Sequence, residues 1–146
     1  SFESGVKPGA ALYGFKEYLP NASIYGADID RSVLISEPRI QCAYVDQLHP
    51  PSFEKMQKEF GVENFHLIID DGIHSLSANL NTLLYAGEHL EINGWFCIEN
   101  IDRPDNYVLI DYVLSSSNKF RTYMIECEGG YENECLDWMY AIQKIR

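Results

Sequence analysis

The chain has 146 residues, 46% of them hydrophobic and 23% charged, the balance of a globular protein with one sizeable core. Eleven Lys and Arg against 22 Asp and Glu give a formal net charge of -11. That argues against nucleic acid or an anionic membrane surface as partner, because both are held by Lys and Arg facing phosphates. No apolar run approaches the length of a bilayer span, and neither a signal peptide nor an initiator Met opens the sequence. The expectation is a cytoplasmic, single-domain protein covering residues 1–146 that lacks its natural N-terminal segment. The cysteines Cys42, Cys97, Cys127 and Cys135 form no CxxC pair, so a zinc site is disfavoured and reduced thiols are expected. Cys127 and Cys135 flank Gly129-Gly130, which leaves a disulfide across a hairpin open.

Residues 1–4 read as the tail of a first strand. Residues 8–19 read as a helix with Pro8 at its start, where a missing N–H does no harm. A second strand at 23–28 follows, then a helix over 30–36 capped by Asp30. Residues 39–45 form a third strand and 51–60 an amphipathic helix. Residues 65–70, a continuous apolar run, read as a strand covered on both faces. The longest helix spans 75–90, with Leu76, Leu80, Leu83, Leu84 and Leu90 as its buried stripe. A strand at 94–99 opens on an Asn-Gly turn, and 104–114 is another helix. Residues 120–127 and 134–145 are two strands around Gly129-Gly130, expected as an antiparallel hairpin. The alternation defines an α/β fold, a doubly wound, mostly parallel, Rossmann-like sheet ending in that hairpin.

In such sheets ligands bind beyond the carboxyl ends of the strands, so the polar residues there carry the functional reading. After the first strand comes Glu3-Ser4-Gly5-Val6-Lys7-Pro8-Gly9. Its glycines allow a close backbone approach to a ligand, although an ordinary strand-to-helix turn has the same composition. The second strand ends in Asp28, 19 residues after Gly9, and an acid there can hold both ribose hydroxyls of an adenosine-type cofactor. Asp46 follows the third strand and could accept from an adenine amino group, or could be a solvated turn residue. Asp70-Asp71-Gly72-Ile73-His74 follows the fourth. It reads as a metal or acid–base site, or as a helix cap with a surface His. Glu99-Asn100 ends the fifth strand, and neighbouring strand ends could bring Asp71 and Glu99 together. Two carboxylates and an amide oxygen suit a hard cation such as magnesium. His49, His66 and His89 are read as structural or solvated, and Trp95 and Trp138 as core.

These motifs, in this order through nearly the whole chain, resemble class I S-adenosylmethionine-dependent methyltransferases. The runs are Glu3-x-Gly5-x-x-x-Gly9, Ile24 to Asp30, Ile68 to His74 and Gly94 to Glu99. More narrowly they resemble the magnesium-dependent O-methyltransferases of macrolide sugars, the mycinamicin and macrocin type. The resemblance implies an enzyme that moves a methyl group from S-adenosylmethionine to a small-molecule hydroxyl. It implies cofactor contacts at Glu3, Gly5, Gly9, Asp28, Asp46 and Asp70, metal ligands at Asp71, Glu99 and Asn100, and catalysis by His74 as base with Asp71. Three departures stand out: Lys7 in the glycine loop, Asn100 where the family carries Asp, and the absence of N-terminal helices that cover the cofactor. A metal-free mechanism with His74 alone, a non-catalytic cofactor-binding module and a homo-oligomer stay open. A nicotinamide-dependent oxidoreductase is the further alternative, but residues 5–9 do not supply its GxGxxG loop.

Overall fold

The computed structural model describes residues 8–127 and 137–146. The expected first strand lies outside the described residues, as do Glu3, Gly5 and Cys135. The chain divides into two compact units, Ser1–Val62 and Glu63–Arg146.

The first unit contains α1 (Ala10–Tyr18), β1 (Ile24–Asp28), β2 (Ser36–Glu37), β3 (Ile40–Tyr44) and α2 (Pro51–Phe60). Pro8 sits ahead of α1, and Gly9 is the N-cap with φ 77, a left-handed conformation that glycine adopts at little cost. β1 and β3 run parallel, with Ile24 opposite Ile40 and Asp28 opposite Tyr44. The expected helix over 30–36 is corrected. Asp30 does cap, accepting from the Ser32 N–H at 2.8 Å, but it caps only the 3-10 turn Arg31–Val33. The chain is extended at Leu34 (ψ 128) and pairs as β2, antiparallel to β3. The β-branched Val33 and Ile35 lower helix propensity here. α2 carries Pro51 at its first turn and ends on Gly61 at φ 66, whose N–H bonds Gln57 O at 3.1 Å. It buries Phe53, Met56 and Phe60, and the Phe60 ring lies 4.9 Å from that of Tyr25 on β1.

The second unit contains β4 (Phe65–Asp70), α3 (Leu76–His89), β5 (Leu90–Ile101), α4 (Val108–Ser116), β6 (Phe120–Cys127) and β7 (Asp137–Lys144). Its sheet order is β4-β5-β7-β6. β4 and β5 are parallel; β7 runs antiparallel to both β5 and β6. Among the described residues two pairings are parallel and three antiparallel, so both sheets are mixed where a mostly parallel sheet was expected. The last two strands do pair antiparallel, Phe120 opposite Lys144 through Cys127 opposite Asp137; their connection lies outside the described residues.

Three further expectations change. β4 is not covered along its length: His66 and Leu67 are exposed, and among the described residues it is the end strand of its sheet. The buried face of α3 is Ala78, Asn79, Thr82 and Ala86. Leu76 and Leu83 pack on the core from its margin, while Leu84 is exposed. β5 begins at Leu90, earlier than expected, and bulges before Trp95: Phe65 pairs with Leu90, but Leu67 pairs with Trp95. Gly94 allows this, since an added Cβ would stand 2.9 Å from Glu91 O and 3.0 Å from His66 O. The core is Ala86, Leu90, Phe96, Ile98, Ile101, Tyr107, Tyr140 and Ile142. Trp138 packs against it, and Trp95 lies 5.8 Å from the Tyr123 ring. The Lys144 ammonium donates to Gly87 O and Leu90 O at 3.1 and 2.8 Å, closing the carbonyl end of α3. No helix among the described residues is long and apolar enough to cross a membrane.

Candidate functional site

In the first unit, parallel pairing places Asp28 and Asp46 beyond the carboxyl ends of two adjacent strands. Asp28 Oδ1 accepts from the Asp30 N–H at 2.8 Å, which folds the chain back and leaves the residue exposed. Asp46 Oδ1 accepts from the Leu48 N–H at 2.9 Å. Its backbone is held on both sides by Ser52, whose hydroxyl accepts from Asp46 N at 3.0 Å and donates to Asp46 O at 2.9 Å. Ser52 is 3% exposed, so the first turn of α2 fixes the strand end. Residue type alone does not signal that clamp, because a Ser at the N-terminus of a helix reads as a cap. Gly9 opens α1, and Gly26 lets α1 approach β1, since a Cβ there would meet Leu12 Cδ1 at 2.7 Å and Cys42 Sγ at 2.8 Å. Tyr13 donates to Glu37 Oε1 at 2.7 Å, a bond that keeps it on its own unit's surface.

In the second unit the parallel register sets Asp70 opposite Ile98, so Asp71 and Glu99 leave adjacent strands side by side. His74 Nε2 stands 3.7 Å from Asp71 Oδ1, with both side chains open to solvent. His74 and Asn100 both occupy the left-handed region, each at φ 54, where non-glycine residues are uncommon and often functional. Asp70 differs from its neighbours. It is 4% exposed, and Oδ1 accepts from the Gly72 N–H at 3.3 Å, forming the turn that presents Asp71. Behind it the Asn79 amide donates to Tyr107 Oη at 2.6 Å. Burial, opposed by that bond, raises the Tyr107 pKa, with a further push from Asp70. Asn100 Nδ2 donates to Asp137 Oδ2 at 2.6 Å. Glu99, Asn100, Asp137, Trp138 and Met139 line a shallow cleft with Cys127.

Among the acids at these strand ends, Glu99 has a raised pKa. Burial raises its pKa first, then the charges of Asp71 and Asp137, against a smaller lowering by His74. A folded-state pKa above the unfolded value means that the folded protein holds more protons in that window. Stability should then fall as pH rises through the carboxylate range. Glu99→Gln removes the penalty, so the metal-free variant should melt no lower than wild type at neutral pH and should lose this part of the pH slope. Thermal melts from pH 4 to 8 check it, and an unchanged slope would place the perturbed acid elsewhere.

Among the described residues no three His, Cys, Asp or Glu side chains gather as a metal-binding group. Asp71 and Glu99 offer two carboxylates beside the Asn100 amide. Burial and then the Asp71 charge raise the Glu99 pKa; a cation would offset the second of these, and two carboxylates with an amide oxygen are donors that a hard ion takes.

No family model matches the sequence. The chain has a methyltransferase-like α/β fold. The MycE methyltransferase of the mycinamycin biosynthetic pathway, solved with Mg, SAH and mycinamycin VI, superposes with TM-score 0.71 at 19% identity, covering 100% of this chain and 43% of that one. The N-methyltransferase NodS from Bradyrhizobium japonicum superposes with TM-score 0.59 at 12% identity, over 95% of this chain and 82% of that one. In sequence the chain resembles the mycinamicin VI 2''-O-methyltransferase of Micromonospora griseorubida, at 30% identity over 94 residues. Those residues are 64% of this chain and 23% of the relative, so the match spans about a quarter of the relative's length.

Proposed function

We propose that this chain is the cofactor-binding core of an S-adenosylmethionine-dependent O-methyltransferase, one methyltransferase-like domain acting on a small-molecule hydroxyl of sugar or natural-product type. The observation that carries the reading is the parallel register of β4 and β5, from which Asp71 and Glu99 leave adjacent strand ends, with His74 3.7 Å from Asp71. The resemblance to the mycinamicin VI 2''-O-methyltransferase, and the fold shared with MycE solved with Mg and SAH, support it. The fold alone does not choose the acceptor, since an N-methyltransferase shares it.

S-adenosylmethionine supplies an already activated methyl group. A bound magnesium ion supplies Lewis acidity that lowers the pKa of an acceptor hydroxyl. The chain's own residues do the rest. Asp28 would bind the ribose hydroxyls, and Asp46, clamped by Ser52, would meet the adenine. The glycine loop with Glu3, Gly5 and Gly9 would cradle the cofactor's methionine part, and Asp70 would be a further cofactor contact. Asp71, Glu99 and Asn100 would hold the metal, and His74 takes the acceptor's hydroxyl proton on its imidazole. Positioning the oxygen in line with the methyl carbon accounts for much of the rate.

Isothermal titration of S-adenosylmethionine into wild type and Asp28→Ala tests the reading. Each lost charge-assisted hydrogen bond is worth about 1.5–3 kcal/mol, so the variant should bind at least about tenfold more weakly. No binding by folded wild type would sink the proposal for this chain. A second reading, a cofactor-binding module without catalysis, draws on the neutral Asn100. It gains if S-adenosylmethionine binds while neither Mg²⁺ nor an acceptor does.

A further inference from the structure

β5 and β7 lose register at the site. Ile98 pairs with Tyr140 but Ile101 pairs with Trp138, so β5 carries one extra residue between these two pairs. The bulge falls on Glu99 and Asn100, and Asn100 absorbs it by taking φ 54. Asn is among the few non-glycine residues that tolerate this region. A bulge re-aims side chains that regular pleating would send to opposite faces. Here it swings the Asn100 amide to β7, where Nδ2 meets Asp137 Oδ2 at 2.6 Å.

A carboxylate only accepts hydrogen bonds, so the amide end facing Asp137 must be the NH₂. That contact settles which way the amide points, because its oxygen diverges from its nitrogen. We propose that Asp137 is the positioning residue of the metal site. It holds the Asn100 NH₂ so that the carbonyl oxygen is offered as a hard neutral donor. It also keeps a negative charge beside a position whose own side chain has none. The inference rests on the proposed reading of Asp71, Glu99 and Asn100 as a cation site. Without Asp137 the amide can rotate its NH₂ toward the cation, replacing a donor atom by a repelling dipole.

The test is Mn²⁺ binding to the full chain, read by electron paramagnetic resonance and repeated with Mg²⁺ by calorimetry, with thermal melts alongside. Asp137→Ala should weaken Mn²⁺ binding about tenfold or more, the scale of one charge-assisted hydrogen bond. The exchanged pair Asn100→Asp with Asp137→Asn restores a donor facing an acceptor, and should return affinity to within about threefold of wild type. A purely structural role would lower the melting temperature of Asp137→Ala yet leave Mn²⁺ affinity within about twofold, and that result overturns the inference alone. So does an exchanged pair that binds as weakly as Asp137→Ala. Folded wild type that binds neither ion overturns the metal reading itself, and this inference with it.

Discussion

His74→Asn is expected to slow methyl transfer by about 10²- to 10⁴-fold, the usual worth of a positioned general base. S-adenosylmethionine affinity should stay near that of wild type. His74 follows the turn after β4, with Nε2 3.7 Å from Asp71 Oδ1 and its side chain 38% exposed. It can therefore receive a proton and pass it to solvent. Asn is the informative replacement because His74 sits at φ 54. Ala there would add backbone strain to the loss of the imidazole, whereas Asn keeps the turn and removes only the base. Single-turnover transfer to a sugar hydroxyl, measured beside cofactor binding, separates the two effects. A variant that transfers methyl at the wild-type rate would move the base elsewhere and leave His74 as a turn residue.

The largest expected loss of stability comes from Phe96→Ala. Phe96 is 1% exposed on β5, the strand that pairs with β4 on one side and β7 on the other. It packs in one cluster with Ile98, Tyr140 and Ile142. Truncating a buried Phe costs about 3–5 kcal/mol, a large share of the 5–15 kcal/mol that holds an ordinary domain folded. Urea unfolding followed by Trp fluorescence reads it, since Trp95 and Trp138 both lie in this unit. A loss below about 1 kcal/mol would mean that the sheet collapses around the gap, and that the cluster is less tightly packed than its burial indicates.

Much of the site was legible as positions along the chain. Asp28, Asp46, Asp71 and Glu99 each follow a run of strand-forming residues, and the structure sets each at or beside a strand end. The helix over residues 30–36 failed because one good cap, Asp30, is followed by β-branched residues that pair instead of coiling. Leu84 leaves the apolar stripe of α3 and is exposed, because side-chain type alone does not say which face of a helix meets the sheet. Ser52 and Asp137 carried no signal, since each acts on a partner defined by tertiary contact.

By itself the sequence determined the alternation of helices and strands and the acids that follow them, because periodicity, caps and glycine turns are local. Strand order was not local. Placing β7 between β5 and β6 depends on which hydrophobic faces find each other, and it made the sheet mixed. The same pairing created the bulge at Glu99-Asn100 and brought Asp137 to Asn100, 37 positions away. Register between distant segments is set by packing and hydrogen bonding in the assembled sheet, so only the tertiary structure could decide which way that amide points.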